Sequence, residues 1–224
     1  MSFRPRPPRF FRFAWHLSWH PTSHPDPTQP CILLIHGLMA GRHMQQHWLA
    51  CLRDWGYQDV TLYSNHRSLG VLREHARVAA QQGRPIVLLG YSQGGFQALK
   101  LARLLAHDHI DVAMLVMIAA GGLGRFYPAQ WRTEPRCVPS NVRYAAHFFA
   151  EHDRLGTDLR TRANHLYASG WATEILNHGF AAALQIDHFA ISRAAPARPI
   201  ADPVYQHVLL PLQQRLASLN NLQT

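Results

Sequence analysis

The sequence predicts an α/β fold, a mostly parallel central sheet with helices on both faces. Three observations carry that prediction. First, several apolar runs are continuous rather than alternating, among them Cys31-Ile32-Leu33-Leu34-Ile35, Ile86-Val87-Leu88-Leu89 and Val112 to Ala119, as in strands buried on both faces. Second, segments of helical period separate these runs, and strand–helix–strand alternation requires parallel neighbours. Third, the run at Ile86 stops abruptly at Gly90-Tyr91-Ser92-Gln93-Gly94 and resumes as a helix.

In chain order, residues 1 to 10 form a Pro/Arg-rich leader and residues 11 to 224 read as one domain. A chain of 224 residues with 47% hydrophobic content suffices for one substantial core but not for two. From Phe11, large apolar residues (Phe11, Phe13, Trp15, Leu17, Trp19) alternate with others, predicting a strand with one buried face. The prolines between Pro21 and Pro30 turn the chain into the strand at Cys31. A helix is expected from about Gly41 to Trp55, a strand at Val60 to Tyr63, and a helix from Ser68 to Gln82 closed by Gly83 with Pro85 beyond.

After the serine turn, a helix reaches about His107 and the strand at Val112 follows. Gly121 to Ser140 breaks the rhythm with glycines and prolines around Phe126, Tyr127 and Trp131, predicting either an irregular aromatic flap or a connecting loop. Ala145 to Ala150 reads as a strand ending at Glu151-His152-Asp153, and Phe180 to Ile186 as the last apolar run before His188. Asp202-Pro203 opens a terminal helix as N-cap and first-turn proline.

The formal charge of +9 is partly local, because Arg4, Arg6, Arg9 and Arg12 precede the first acid, Asp26. The remaining arginines are scattered, so no nucleic-acid partner is expected. With Phe3, Phe10 and Phe11 in the same segment, the leader predicts a weak peripheral contact with anionic membrane. No apolar run approaches the ~20 residues of a spanning helix, and no signal-type apolar core follows the basic start; the default expectation is a cytoplasmic protein. Cys31, Cys51 and Cys137 lack metal-type spacing and read as reduced thiols. His16, His20 and His24 lie in a strand and a proline-rich turn, while His43 and His47 read as solvated helix positions, so no metal site is expected.

Gly90-Tyr91-Ser92-Gln93-Gly94 is a Gly-x-Ser-x-Gly turn between a strand and a helix, and together with Cys31-Ile32-Leu33-Leu34-Ile35-His36-Gly37-Leu38 it resembles the α/β-hydrolase superfamily, lipases and esterases in particular. The likeness covers roughly residues 30 to 220, with an intervening helix, strand and helix in the order that family has. It implies an α/β-hydrolase fold with little or no cap. It also implies a serine hydrolase cleaving carboxylic esters, acyl thioesters included, through an acyl-serine intermediate. No cofactor is implied, and the partner is a small-molecule or lipid acyl ester.

Within that resemblance Ser92 is the nucleophile. A serine hydroxyl needs a base to take its proton and an acid to orient that base. Asp153 stands where the acid belongs, with Glu151 as the alternative; His188 precedes the terminal helix where the base belongs, with His178 as the alternative. The oxyanion hole would use the backbone N–H of Gln93 and of Leu38, or of Met39 in its place. Met39 and Phe189 are candidate substrate contacts, and with Leu38, Phe96 and Ile191 they form an apolar set that reads equally as acyl-chain lining or as plain core. His-Gly-Leu-Met carries one glycine, unlike the Gly-rich loops of some esterases, which argues against bulky tertiary-alcohol esters. Two other activities fit the same residues: a non-catalytic small-molecule-binding module, and an acyltransferase using the same triad.

Overall fold

The computed structural model describes residues 26–131, 134–195, 199 and 201–220. The expected leader, the strand from Phe11 and the arginine-based membrane contact lie outside the described residues. Eight strands are described: β1 Cys31–His36, β2 Val60–Ser64, β3 Ile86–Tyr91, β4 Val112–Ile118, β5 Cys137–Val138, β6 Val142–Ala150, β7 Tyr167–Ala168 and β8 Glu174–Phe180. Six form one sheet in the order β2-β1-β3-β4-β6-β8, every pair parallel. Strands β5 and β7 form a separate parallel pair.

The uniform apolar character of the central strands follows from burial on both sides. In β1, Ile32 and Leu34 join one core layer with Trp48, Leu52 and the C-terminal helix residues Leu212 and Leu216. Cys31, Leu33 and Ile35 point the other way, into a second layer with Leu72, Ala76, Leu99 and Leu101. Alternate residues of one strand therefore feed two cores. Each fully buried Leu or Ile contributes about 1.5–3 kcal/mol, so a polar residue on either face of β1 or β3 would be costly.

Helices α3 (Leu69–Gln81) and α4 (Gln93–His107) cover the second layer, and α5 (Leu210–Asn220) packs on the first. Ser68 caps α3 by accepting from Gly70 N–H at 3.3 Å, and Gly83 ends it at φ +74°. The helix expected from Gly41 is divided: α1 Gly41–Met44, a π turn Gln45–Leu49, and α2 Ala50–Asp54. Asp202 caps the terminal helical segment through Val204 N–H at 2.8 Å and Tyr205 N–H at 3.2 Å, as its sequence position predicts. Among the described residues no helix is long and apolar enough to cross a membrane.

One expectation needs correction. The last strand is not the apolar run Phe180 to Ile186 but the preceding β8, which ends at Phe180. Edge strand β8 tolerates Glu174, Asn177 and His178, whereas Ala181 to Gln185 are exposed and turn through a short 3-10 segment, Ala182–Leu184. Alanine-rich sequence has little strand preference, and Gln185 at φ +49° ends the turn. Phe96 and Ile191, which the sequence leaves open between pocket lining and plain core, are 2% and 0% exposed and belong to the core. The Gly121–Ser140 segment contains two short 3-10 turns, Gly122–Phe126 and Pro128–Gln130, and no helical lid among the described residues.

On β6, His147 is fully buried with both ring nitrogens engaged. Nδ1–H donates to Asn164 C=O at 2.6 Å, and Nε2 accepts from Ala120 N–H at 3.3 Å. Protonating Nε2 would set an N–H against the Ala120 N–H, and burial, the larger cause, depresses the pKa to about 4. Because the folded value lies below the unfolded one, the unfolded chain takes up the proton first. Stability present above pH 6.5 is lost as pH falls toward 4. A His147→Gln protein should therefore start less stable at pH 7 yet lose less of its urea midpoint between pH 6.5 and 4 than wild type; parallel slopes would show that His147 does not titrate in this window.

Candidate active site

Four close approaches shape the end of β3. A Cβ on Gly90 would lie 2.3 Å from Gly94 O, and a Cβ on Gly94 would lie 1.9 Å from Ile35 O. Glycine at these positions lets α4 begin immediately beneath the end of β1. Ser92 occupies the turn at φ +53°, ψ −124°, a conformation that costs a non-glycine residue about 1–3 kcal/mol. It is held by Ser92 N–H to Ile118 O at 2.8 Å and Gly95 N–H to Ser92 O at 3.0 Å. Gly37 completes the set: a Cβ there would meet Ser92 Cβ at 2.7 Å and Ser92 Oγ at 3.2 Å, so the loop after β1 lies directly against the serine.

Asp153 and His188 come from loops after β6 and β8 and meet at Nδ1···Oδ2 2.6 Å. Asp153 is buried, and its other oxygen accepts from Leu155 N–H at 2.9 Å and Gly156 N–H at 3.1 Å. These bonds fix the carboxylate and leave Oδ2 for the imidazole. With Nδ1–H donating to Asp153, Nε2 is the nitrogen left with the lone pair. Tyr91, next to the serine, donates from its hydroxyl to His188 C=O at 2.9 Å, and the two rings lie 5.0 Å apart. The loop carrying His188 is thereby tied to the turn carrying Ser92.

The other candidates fall elsewhere. Glu151 is exposed and accepts from Ala182 N–H at 3.3 Å and Thr161 O–H at 3.5 Å rather than from a histidine. His178 stacks on His207, with centroids 4.5 Å apart at 17°. Asp187, adjacent to His188 in sequence, accepts from Ala190 N–H at 2.6 Å. Leu38 and Met39 continue the loop from Gly37, with Met39 at φ +57° and fully exposed. Gln93 opens α4, where first-turn N–H groups lack helical partners. Its side chain is clamped, donating to Gly124 O at 2.6 Å and accepting from Gln130 Nε2 at 2.8 Å. His36 bonds its own loop, with Nδ1 2.7 Å from Gly37 O.

Sequence reasoning missed three supports of this arrangement. The Gly-x-Ser-x-Gly pattern assigns Tyr91 no role, and the Gln93 clamp depends on the fold of the Gly121 segment. His43 and His47 are not merely solvated: His43 Nε2 lies 2.9 Å from Ser192 Oγ and His47 Nδ1 lies 3.1 Å from Ala194 O. Both brace the segment just after His188, and His43 also meets the Phe189 ring edge-on at 5.3 Å. Burial first, then His47 and Arg193, pushes the His43 pKa down to about 4, so this brace is neutral near pH 7.

Gly94→Ala tests the packing. With its Cβ required at 1.9 Å from a backbone oxygen, the variant should lose several kcal/mol of stability or fail to accumulate folded; a melting temperature within a few degrees of wild type would contradict the described packing.

No protein-family model matches the sequence, and no curated protein matches it. Solved structures do. A hydrolase described as YdeN-like from Pectobacterium atrosepticum is 17% identical with a TM-score of 0.51, covering 87% of this chain and 92% of that one. Mouse alpha/beta hydrolase domain-containing protein 10 is 13% identical with a TM-score of 0.51, covering 92% and 96%. The RedJ thioesterase from the prodiginine biosynthetic pathway of Streptomyces coelicolor is 14% identical with a TM-score of 0.50, covering 91% and 99%. With the all-parallel six-stranded sheet and the serine turn at the end of β3, these likenesses show that the chain has the α/β-hydrolase fold.

Proposed function

We propose that the protein is a serine hydrolase that cleaves acyl esters or thioesters through an acyl-Ser92 intermediate. The observation that carries this reading is the Asp153–His188 bond of 2.6 Å, made between two strand-end loops and tied through Tyr91 to the Ser92 turn. In this scheme His188 Nε2 takes the proton of Ser92 Oγ as Oγ attacks the acyl carbon, and later gives it to the leaving alcohol or thiol. Asp153 holds the tautomer and stabilises the imidazolium. The Leu38 and Gln93 N–H groups receive the developing oxyanion. Water then enters by the same base and releases the acid.

The surroundings favour an acyl chain over a charged substrate. Leu38, Met39 and Phe189 are exposed on the loops bearing the proposed oxyanion and base groups. Leu123, Phe126 and Leu155 are exposed beside Gly124, which touches the Gln93 side chain. Exposed large apolar residues on the loops around a site support a binding surface for an apolar group. The description of one structural neighbour as a thioesterase agrees with thioesters in the substrate range.

Two experiments bear on the chemistry. A fluorophosphonate probe should label the wild type covalently and leave Ser92→Ala unlabelled; labelling of both proteins would remove Ser92 from the mechanism. In turnover of short p-nitrophenyl esters and acyl thioesters, Asp153→Asn should lower kcat by roughly 10⁴-fold with little change in KM. Glu151→Gln should stay within a few-fold of wild type, and the reverse ranking would move the orienting role to Glu151.

A further inference from the structure

At the opposite end of the strands from Ser92, three residues distant in sequence converge. Cys31 begins β1, Asp59 immediately precedes β2, and His75 lies in α3. Their ligand atoms all lie within 4.8 Å of one another. His75 Nε2 is 3.7 Å from Cys31 Sγ and 3.8 Å from Asp59 Oδ1. The second distance is too long for a hydrogen bond, and Asp59 Oδ1 is a buried carboxylate oxygen without a hydrogen-bond partner, on a residue only 2% exposed. Leaving a buried anionic oxygen so placed is costly, and it faces a thiol and an imidazole.

We propose that Cys31 Sγ, Asp59 Oδ1 and His75 Nε2 form a binding site for a divalent transition-metal ion of the zinc type. Ligand distances of ~2.3 Å for sulfur and ~2.0 Å for nitrogen and oxygen in a tetrahedral centre place sulfur and nitrogen about 3.5 Å apart, and nitrogen and oxygen about 3.3 Å apart. The two separations from His75 Nε2 need a contraction of only a few tenths of an ångström, and Cys31 Sγ and Asp59 Oδ1 lie within 4.8 Å of each other. The outer contacts suit such a site. The Tyr63 hydroxyl lies 2.8 Å from His75 Nδ1; with Nδ1–H donating to it, the Nε2 lone pair faces Cys31 and Asp59. Arg84 Nη1 donates to Asp59 Oδ2 at 2.6 Å and Arg84 Nε to Gln29 O at 2.9 Å, which aims Oδ1 inward. On binding, the Cys31 thiol releases one proton to solvent as its sulfur joins the metal. The thiolate and carboxylate then balance the ion, and water completes the fourth position. Because β3 spans six residues, or roughly 20 Å, the metal would clamp α3 to the sheet without taking part at Ser92.

The test uses the full chain stripped by chelator and titrated with Co²⁺, then Zn²⁺. One equivalent of Co²⁺ should produce a thiolate-to-cobalt charge-transfer band with tetrahedral d–d absorption, Zn²⁺ should abolish both, and Zn²⁺ should raise the melting temperature. Cys31→Ser and His75→Ala should each remove the charge-transfer band and weaken Zn²⁺ binding more than about 100-fold, since even outer partners of metal ligands are worth 10–100-fold. His75 is partly exposed on a helix, so its variant retains a readable fold if the Cys31 variant does not; Cys137→Ser should keep the band. Absence of the band in wild type, its survival in His75→Ala, or a crystal structure from Zn²⁺-containing solution with only a water among Cys31, Asp59 and His75 would overturn the assignment.

Discussion

The structure depends on backbone meeting backbone where β1, β3 and α4 converge. Ile35 O occupies the place a Gly94 side chain would need, and Gly94 in turn fills the place a Gly90 side chain would need. That contact lets the chain reverse from strand to helix within a residue or two and lifts Ser92 out at the carboxyl end of β3 at φ +53°. The strain of about 1–3 kcal/mol is small against the burial of the flanking elements. Phe96, Ala98, Leu99, Leu101 and Ala102 on α4 and Val87, Leu88 and Leu89 on β3 are all nearly or fully buried. The turn is a local high-energy feature inside the most densely supported part of the molecule, and it persists because the neighbouring strands leave it no other path.

Much of this organisation is legible in the sequence because it is written in local signals. Continuous apolar runs locate β1, β3 and β4; Ser68 and Gly83 bracket α3; Asp202 and Pro203 mark the terminal helix. Asp153 and His188 are singled out by the serine, acid, histidine order that the resemblance implies, and their side chains meet at 2.6 Å. The signal failed where the outcome depends on distant partners. Residues 180 to 186 look like a strand by composition, yet β6 offers its edge to Glu174–Phe180, and pairing register cannot be read from one strand alone. Phe96 and Ile191 are apolar wherever they point, so sequence could not separate pocket from core. Cys31, Asp59 and His75 converge only because β1, the turn before β2 and α3 pack together, and no spacing rule spans three separate elements.

Sixteen histidines make residue type useless for finding a base, and their bonding explains why the structure narrows the choice. His147 spends both nitrogens on backbone groups and stays neutral. His36 bonds Gly37 O, and burial lowers its pKa. His178 lies against His207, and burial together with that neighbour depresses its pKa. A general base acting on a serine needs one nitrogen held by a fixed anion and the other left for the substrate side. The bond to Asp153 gives His188 that asymmetry.

The low pKa of His43 completes the electrostatic picture. In the proposed mechanism His188 becomes an imidazolium when it takes the serine proton, and a second cation nearby would raise the energy of that state. His43 approaches the Tyr91 and Phe189 rings at 6.0 and 5.3 Å and braces the same loop through Ser192. Burial and the neighbouring His47 keep it uncharged near pH 7. A lysine or arginine could supply the same hydrogen bond but would carry its charge throughout. A neutral imidazole is therefore a polar brace that holds the loop without opposing the charge the mechanism places on His188, which ties the fold of the segment after β1 to the chemistry proposed at the end of β3.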